Sequence, residues 1–117
     1  YEVVKNCTIA VVGIGTAHSQ WEHMVSLYDE DNAEQKKWAA DVAGEVCTHF
    51  FDKEGHEIDP PFKDRIIAIT MEDYKKIPVR IGVAGGKDKV GAIRAAVKGN
   101  YINVLVTDFH TAKLLNK

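Results

Sequence analysis

The chain has 117 residues, of which 45% are hydrophobic and 27% charged, a composition that predicts one globular unit with its own core. Lysine and arginine total 15 and aspartate and glutamate 17, a net charge of −2, which argues against a DNA-contacting surface because phosphate binding needs clustered positive charge. No apolar run approaches the roughly 18–20 residues of a membrane span, and residues 1–6 lack the features of a signal peptide. Cys7 and Cys47 have no metal-binding spacing and are expected to be free and buried, as suits a cytoplasmic protein.

The first part of the chain predicts a strand, a glycine turn and two helices. Residues 8–12 form a continuous apolar, β-branched run, which is typical of a strand buried on both faces. A glycine turn follows, and apolar spacing over residues 19–28 predicts a helix. A second helix is predicted to begin at Asn32, which is positioned to cap it, and to end at Gly44.

The middle of the chain is predicted to alternate between strands and irregular segments. Residues 45–51 are rich in β-forming residues and predict a strand, with a turn over 52–55. The proline pair at 60–61 marks an irregular loop. Residues 65–70 predict another apolar strand, and Thr70 is positioned to cap the short helix that follows it.

The last third has the most regular pattern. A strand is predicted over residues 79–84, a helix over 88–98, a strand over 102–107, and a final helix that Asp108 caps. Strand and helix alternating through short loops predict a parallel sheet with right-handed crossovers. The predicted fold class is therefore α/β, a mostly parallel sheet flanked by helices.

A glycine pair between the strand predicted over residues 79–84 and the helix that follows it is the strongest sign of a binding site. Gly85 and Gly86 permit positive φ and the close approach of a ligand, and free N–H groups at a helix start attract an anion. Lys89 lies in the predicted first helical turn, where a cation opposes the helix dipole, and is expected to serve that anion. A tight turn without a ligand is the alternative, and the spacing matches neither a Walker loop nor a dinucleotide fingerprint.

Other residues are expected at the same edge of the sheet. Gly13, Gly15 and Thr16 follow the first strand, and ligands of open parallel sheets lie beyond the carboxyl ends of strands. Glu45 is suited to accept hydrogen bonds from sugar hydroxyls or to act as a general base. Plain turns and an ordinary exposed glutamate are the alternatives here, and Asp108 is interpreted as a helix cap.

The sequence contains no recognisable catalytic or metal-binding motif. Its five histidines lack the spacing of a zinc site, and no serine nucleophile elbow or cysteine–histidine arrangement is visible. We therefore predict no catalytic residue, no metal and no other cofactor.

Four segments, residues 11–19, 43–55, 65–93 and 103–115, carry glycines, a lysine, an Ile-Pro break and a final Thr-Asp in a fixed order. In this order they resemble the C-terminal part of the sugar-binding domain of SorC/DeoR-type bacterial transcriptional regulators. The third and fourth segments are the more specific. The resemblance covers essentially the whole chain, but only about the second half of that family's effector domain.

The resemblance implies a Rossmann-like fold similar to the phosphosugar isomerase and CoA-transferase group. It also implies an effector site for a phosphorylated sugar or a related metabolite. The positions that match the family's motifs are Gly13, Gly15, Glu45, Gly85, Gly86 and Lys89. The family's DNA-binding helix-turn-helix and the first half of its effector domain have no counterpart here. Residues 1–117 are thus expected to be a partial effector domain that associates into homo-oligomers and reaches DNA only through a domain outside this chain.

Two other functions stay open at this point. A sugar-phosphate isomerase or deaminase of the same fold group would need a catalytic loop, and the glycine turn here continues as Thr16-Ala17-His18-Ser19 without the Asp-Gly pair of such deaminases. A structural or dimerisation element would bind no ligand. The sequence favours the effector domain of a sugar-responsive regulator, which is not an enzyme.

Overall fold

The computed structural model describes residues 1–16 and 32–117. In chain order its elements are helix α1 (Glu2–Lys5), strand β1 (Ile9–Gly13), helix α2 (Ala33–Asp41), strands β2 (Gly44–Val46) and β3 (His49–Phe51), helix α3 (Met71–Lys76), strand β4 (Val79–Val83), helix α4 (Val90–Lys98), strand β5 (Val104–Val106) and helix α5 (Phe109–Leu115). Two 3-10 turns cover Lys63–Arg65 and Lys87–Lys89. The helix predicted over residues 19–28 lies outside the described residues. None of the described helices has the length and apolar character that crossing a bilayer requires.

The main sheet has three strands in the order β1-β4-β5, and both pairings are parallel. Ile9 of β1 lies opposite Val79 of β4, and Ile81 of β4 lies opposite Val104 of β5. Because the strands run in one direction, their carboxyl ends meet at one edge of the sheet. The predicted α/β class with a parallel sheet is confirmed.

The two faces of this sheet differ in burial. Ala10, Val12 and Leu105 pack against the main core, which includes the buried alanines of α4. On the opposite face Val11 is 67% exposed. The expectation that the strand at 8–12 is buried on both faces is therefore wrong for the described residues, because none of their elements covers the second face.

Residues 45–51 form a hairpin rather than the single strand that the sequence predicts. Strand β2 pairs antiparallel with β3, and Cys47 and Thr48 form the turn with φ values of 52° and 63°. Positive φ at both turn positions is what a two-residue type I′ hairpin requires. Neither residue is glycine or asparagine, so local turn preferences do not reveal this hairpin.

Helix α2 ends at Asp41, and Gly44 begins β2 instead of ending the helix as predicted. A Cβ at Gly44 would lie 2.8 Å from Phe51 Cε2 and 2.9 Å from Ala92 Cβ. The glycine is therefore explained by close packing of the hairpin on α4 and not by the helix terminus.

The prediction of a strand over residues 65–70 is also wrong. Arg65 ends a 3-10 turn, and residues 66–70 pair with no strand in the described ranges. Ile66 and Ile69 pack against hydrophobic clusters, whereas Ile67 is fully exposed. Side-chain packing at these two positions and a hydrogen bond from His49 Nε2 to the Ile69 carbonyl at 2.6 Å, and not a strand ladder, attach this segment to the fold.

Three helices begin at the side-chain caps that the sequence predicts. Asn32, Thr70 and Asp108 each accept the N–H of the residue three positions later, at 3.1, 3.1 and 2.8 Å. Both cysteines are free. Cys47 is partly buried, but Cys7 is exposed, contrary to expectation, because it follows the surface helix α1 and precedes β1.

Candidate ligand site at the carboxyl edge of the sheet

The predicted site residues lie around the carboxyl edge of the parallel sheet. Gly13 ends β1 opposite Val83, the last residue of β4. Beyond these strand ends, Gly15 and Thr16 continue from β1, and the Gly85-Gly86 turn continues from β4. The two glycine turns predicted to share a crevice therefore follow neighbouring strands.

Gly86 redirects the chain from β4 toward α4. Its φ of 117° and ψ of 147° lie in a region that is essentially restricted to glycine. The Gly86 N–H donates to Thr111 Oγ1 at 2.8 Å, and the Thr111 hydroxyl donates to Asp108 Oδ2 at 2.9 Å. The Gly86 N–H is thus already hydrogen-bonded within the protein. Gly86 shapes the site because its backbone conformation sets the direction of the turn.

Gly85 provides room for a neighbouring carboxylate. A Cβ at this position would collide with Asp108 Oδ2. Hydrogen bonds from the backbone and the side chain of Thr111 lower the pKa of Asp108, so this carboxylate stays ionised at neutral pH. Gly85 itself is exposed, and the corner it forms is open to solvent.

The 3-10 turn before α4 presents unpaired backbone donors. Within residues 1–16 and 32–117, the N–H groups of Lys87 and Asp88 have no hydrogen-bond partner, and both residues are exposed. Free N–H groups at the positive end of a helix favour an anion. The Asp88 carboxylate lies beside Gly86.

Lys89 joins the two glycine turns. Its Nζ donates to the Ile14 carbonyl oxygen at 2.9 Å, and the side chain is partly buried. A carbonyl orients the ammonium group without neutralising its charge, and two of its three N–H donors remain available for a ligand. Among the described residues, no carboxylate forms an ion pair with Lys89.

Glu45 is held beside the first glycine turn by a backbone bridge. The Gly15 N–H donates to the Glu45 carbonyl at 2.9 Å, and the Glu45 N–H donates to the Gly15 carbonyl at 3.0 Å. Glu45 is only 6% exposed, and its Oε1 accepts the Thr48 N–H at 2.8 Å. It is therefore a buried, oriented carboxylate, not the exposed glutamate of the alternative interpretation.

The neighbouring thiol does not supply a nucleophile. Burial, and then the negative charge of Glu45, raise the pKa of Cys47. A protonated thiol is a poor nucleophile. Among the described residues, no group of histidine, cysteine or acidic side chains could hold a metal ion.

Thr107 and Asp108 also lie at this edge, although the sequence predicted no ligand role for Thr107 and only a helix cap for Asp108. Both follow β5, the third parallel strand, and so reach the same edge as the two glycine turns. The Thr107 Oγ1 is buried and has no hydrogen-bond partner in the described part of the chain. The signal that could have found them is their place, since polar residues directly after a predicted parallel strand lie at the ligand-binding edge.

Comparison with known proteins identifies the family. Residues 1–116 match the family described as "Putative sugar-binding domain". The deoxyribonucleoside regulator of Bacillus subtilis is 34% identical over 116 residues, which are 97% of this chain and 36% of that protein. The transcriptional regulator LsrR of Escherichia coli is 46% identical over 72 residues, 61% of this chain and 23% of the relative.

The fold comparison agrees with the sequence comparison. The full-length sorbitol operon regulator SorC of Klebsiella pneumoniae superposes with a TM-score of 0.79 at 32% identity, over 93% of this chain and 35% of that structure. The chain thus spans about a third of the length of the Bacillus and Klebsiella regulators. The relatives named here are transcriptional regulators and not enzymes. The chain belongs to the sugar-binding domain family of SorC/DeoR-type transcriptional regulators.

Proposed function

We propose that this chain is part of an effector domain that binds a phosphorylated sugar and thereby modulates DNA binding by the intact regulator. The observation that carries the proposal is the position of Lys89, whose ammonium group is oriented by Ile14 O at 2.9 Å between two glycine turns. An oriented cation without an ion-pair partner among the described residues, next to free N–H groups at a helix start, suits a phosphate.

Different parts of the edge are proposed to recognise different parts of the ligand. The Lys89 ammonium group and the N–H groups of Lys87 and Asp88 would hold the phosphate. Glu45 would accept hydrogen bonds from sugar hydroxyls, because an ionised carboxylate is an acceptor only. The glycine turns at Gly13-Gly15 and Gly85-Gly86, with the Thr16 hydroxyl, would line the space between them.

The regulatory mechanism proposed is linkage between two sites. A ligand that binds one arrangement of associated effector domains better than another shifts the population toward that arrangement. The same coupling free energy then changes DNA affinity, which resides in a helix-turn-helix outside these residues. Homo-oligomeric association is part of this proposal.

A binding experiment on the complete regulator tests the proposal. A panel of sugar phosphates and their unphosphorylated counterparts is titrated by calorimetry and by thermal shift, where a true ligand at a hundredfold excess over its Kd stabilises by about 2.7 kcal/mol. Lys89→Ala removes charge-assisted hydrogen bonds of roughly 1.5–3 kcal/mol, so Kd should rise about 10- to 100-fold.

Lys87→Ala is the matched control, because this lysine lies in the same turn, is exposed, and keeps its N–H after substitution. It should retain most of the affinity. Equal binding of a sugar and its phosphate would contradict the phosphate assignment. Equal loss in the two variants would remove the special role of Lys89.

A further inference from the structure

A single buried side chain holds the Gly85-Gly86 turn in place. The hydrogen bond from the Ala84 N–H to the Val106 carbonyl, at 3.2 Å, ends the ladder between β4 and β5. Past this point the Gly86 N–H donates to Thr111 Oγ1 at 2.8 Å. Among the described residues, the backbone of these two glycines has no other hydrogen bond except within the 3-10 turn that follows. Thr111 therefore fixes the point from which the chain turns into α4.

Gly86 in turn sets the direction of the N–H groups that are proposed to bind phosphate. Its carbonyl accepts the Lys89 N–H at 3.1 Å, and this i to i+3 hydrogen bond closes the 3-10 turn. The N–H groups of Lys87 and Asp88 lie inside that turn. A rotation of the Gly86 peptide group would turn these donors away from a ligand, and hydrogen bonds weaken steeply when they are misaligned.

The hydroxyl group of Thr111 is held in one orientation. Thr111 is only 1% exposed. Its hydroxyl donates to Asp108 Oδ2 at 2.9 Å, and Asp108 Oδ1 accepts the Thr111 N–H at 2.8 Å. A hydroxyl has a single proton to donate, so the oxygen that remains for Gly86 is an acceptor, which matches the N–H that Gly86 offers. The Asp108 carboxylate thus fixes the direction of both hydrogen bonds of this hydroxyl.

The same arrangement explains why glycine is needed at both positions of the turn. A Cβ at Gly85 would collide with Asp108 Oδ2 and push the carboxylate away from Thr111. Gly86 has a φ of 117° and a ψ of 147°, which other residues rarely adopt. Both glycines therefore serve the connection between this turn and α5.

We propose that Thr111 is the positioning residue of the phosphate-binding turn. Oriented by Asp108, it holds Gly86 so that the free N–H groups of the next two residues point toward the phosphate, and it does so without touching the ligand. Donors that are already in place lose less entropy when the ligand binds than donors that must first be ordered. The inference rests on the proposed function, because it concerns how that site distinguishes a phosphorylated sugar from an unphosphorylated one.

Titration of the complete regulator with its tightest-binding sugar phosphate, and with the unphosphorylated counterpart, tests the inference. Thr111→Val keeps the shape of threonine but lacks the hydroxyl, so the Kd of the sugar phosphate should rise roughly 10-fold, equivalent to about 1.4 kcal/mol. The Kd of the unphosphorylated sugar should not change. Thr111→Ser keeps the hydroxyl and should keep the preference for the phosphate.

Thr70→Val is the matched control for loss of stability. The Thr70 hydroxyl caps α3 by accepting the Asp73 N–H at 3.1 Å, and this cap lies on a helix that contributes nothing to the proposed site. Its removal also destabilises the fold, but it should leave both Kd values unchanged. An equal rise in the Kd of the sugar phosphate in Thr70→Val and Thr111→Val would mean that stability alone is responsible, and would overturn the inference.

Asp108→Asn separates positioning from simple charge repulsion, and asparagine remains a good helix cap. In either orientation of its amide, one of the two hydrogen bonds to Thr111 is lost, so positioning predicts weaker binding of the sugar phosphate. A carboxylate that only repelled the phosphate would give tighter binding when it is removed. Tighter or unchanged binding in Asp108→Asn, or an unchanged preference for the phosphate in folded Thr111→Val, overturns the inference. A wild-type regulator that binds the two sugars equally contradicts the proposed function itself, and this inference with it.

Discussion

Replacing Gly86 by alanine tests whether the Gly85-Gly86 turn depends on a backbone conformation that only glycine adopts readily. The φ of 117° and ψ of 147° at this position cost a non-glycine residue about 1–3 kcal/mol. The new Cβ would also lie 2.9 Å from Asp88 Oδ1, but Asp88 is exposed and its side chain can rotate away. Backbone strain therefore dominates, and Gly86→Ala should lower the free energy of unfolding by about 1–3 kcal/mol.

Gly91→Ala is the matched control for this substitution. Gly91 lies in α4, five residues beyond Gly86, and a Cβ there would meet no atom within 4 Å. Gly91 is the second residue of α4, and alanine is favoured over glycine by roughly 0.5–1 kcal/mol in a helix interior and by less near its start, so this variant should be slightly more stable than the wild type.

Urea denaturation of both variants in the complete regulator, followed by a probe of this domain, measures the two effects. Opposite signs are expected. If Gly86→Ala lost less than about 0.5 kcal/mol, which is below the range for a strained backbone, the turn would be able to relax into an ordinary conformation. The Thr111–Gly86 hydrogen bond would then not define it.

Two further predictions concern the core. Arg80 is 5% exposed, and its guanidinium donates to the carbonyls of Lys75, Ile77 and Asn100 at 3.1, 2.7 and 3.2 Å. Arg80→Met should therefore lower the free energy of unfolding by at least roughly 1–3 kcal/mol, because buried acceptors are left without a donor. Arg94→Met, at an exposed arginine, is the control in the same denaturation experiment. Burial raises the pKa of Tyr74 and of Tyr101 from 10.0 to about 12, so the stability they confer is complete below pH 10 and lost as the pH rises from 10 to 12. Unfolding curves at pH 9 and pH 11.5 should show this loss, and the Tyr→Phe double variant should reduce it; an unchanged loss would assign it to other groups.

The predictable parts of this fold are those encoded by short-range patterns. Asn32, Thr70 and Asp108 each cap a helix through a hydrogen bond that spans three residues, and such a bond needs no tertiary structure. The strands at 79–83 and 104–106 are bounded by turns and helices that the sequence also indicates. Because these strands alternate with helices along the chain, the sequence also predicted that the sheet is parallel.

The parts that could not be predicted depend on long-range contacts. Nothing local favours positive φ at Thr48, a β-branched residue for which this is a rare conformation. The turn is stabilised because Glu45 accepts the Thr48 N–H and because Gly15, 30 residues away in the sequence, bridges to Glu45. The same bridge buries Glu45. Local sequence therefore could not distinguish this oriented glutamate from an exposed one.

The proposed phosphate site at Lys89 and the outer edge of β1, which pairs with no strand among the described residues, are connected through the backbone of β1. Ile14, whose carbonyl orients Lys89, follows the last residue of β1 directly. Any element that pairs with the outer edge of β1 therefore restrains the carbonyl and, through it, the ammonium group, which lowers the entropic cost of ordering the site when ligand binds. In the proposed site, effector affinity would therefore depend on the contacts that hold β1 in place as well as on Lys89. Val11→Lys, at a side chain exposed on the face of the sheet opposite the main core, should weaken phosphosugar binding in the complete regulator. The same substitution at Val97, which is exposed on α4, should not, and equal affinities of the two variants in calorimetry would disprove the connection.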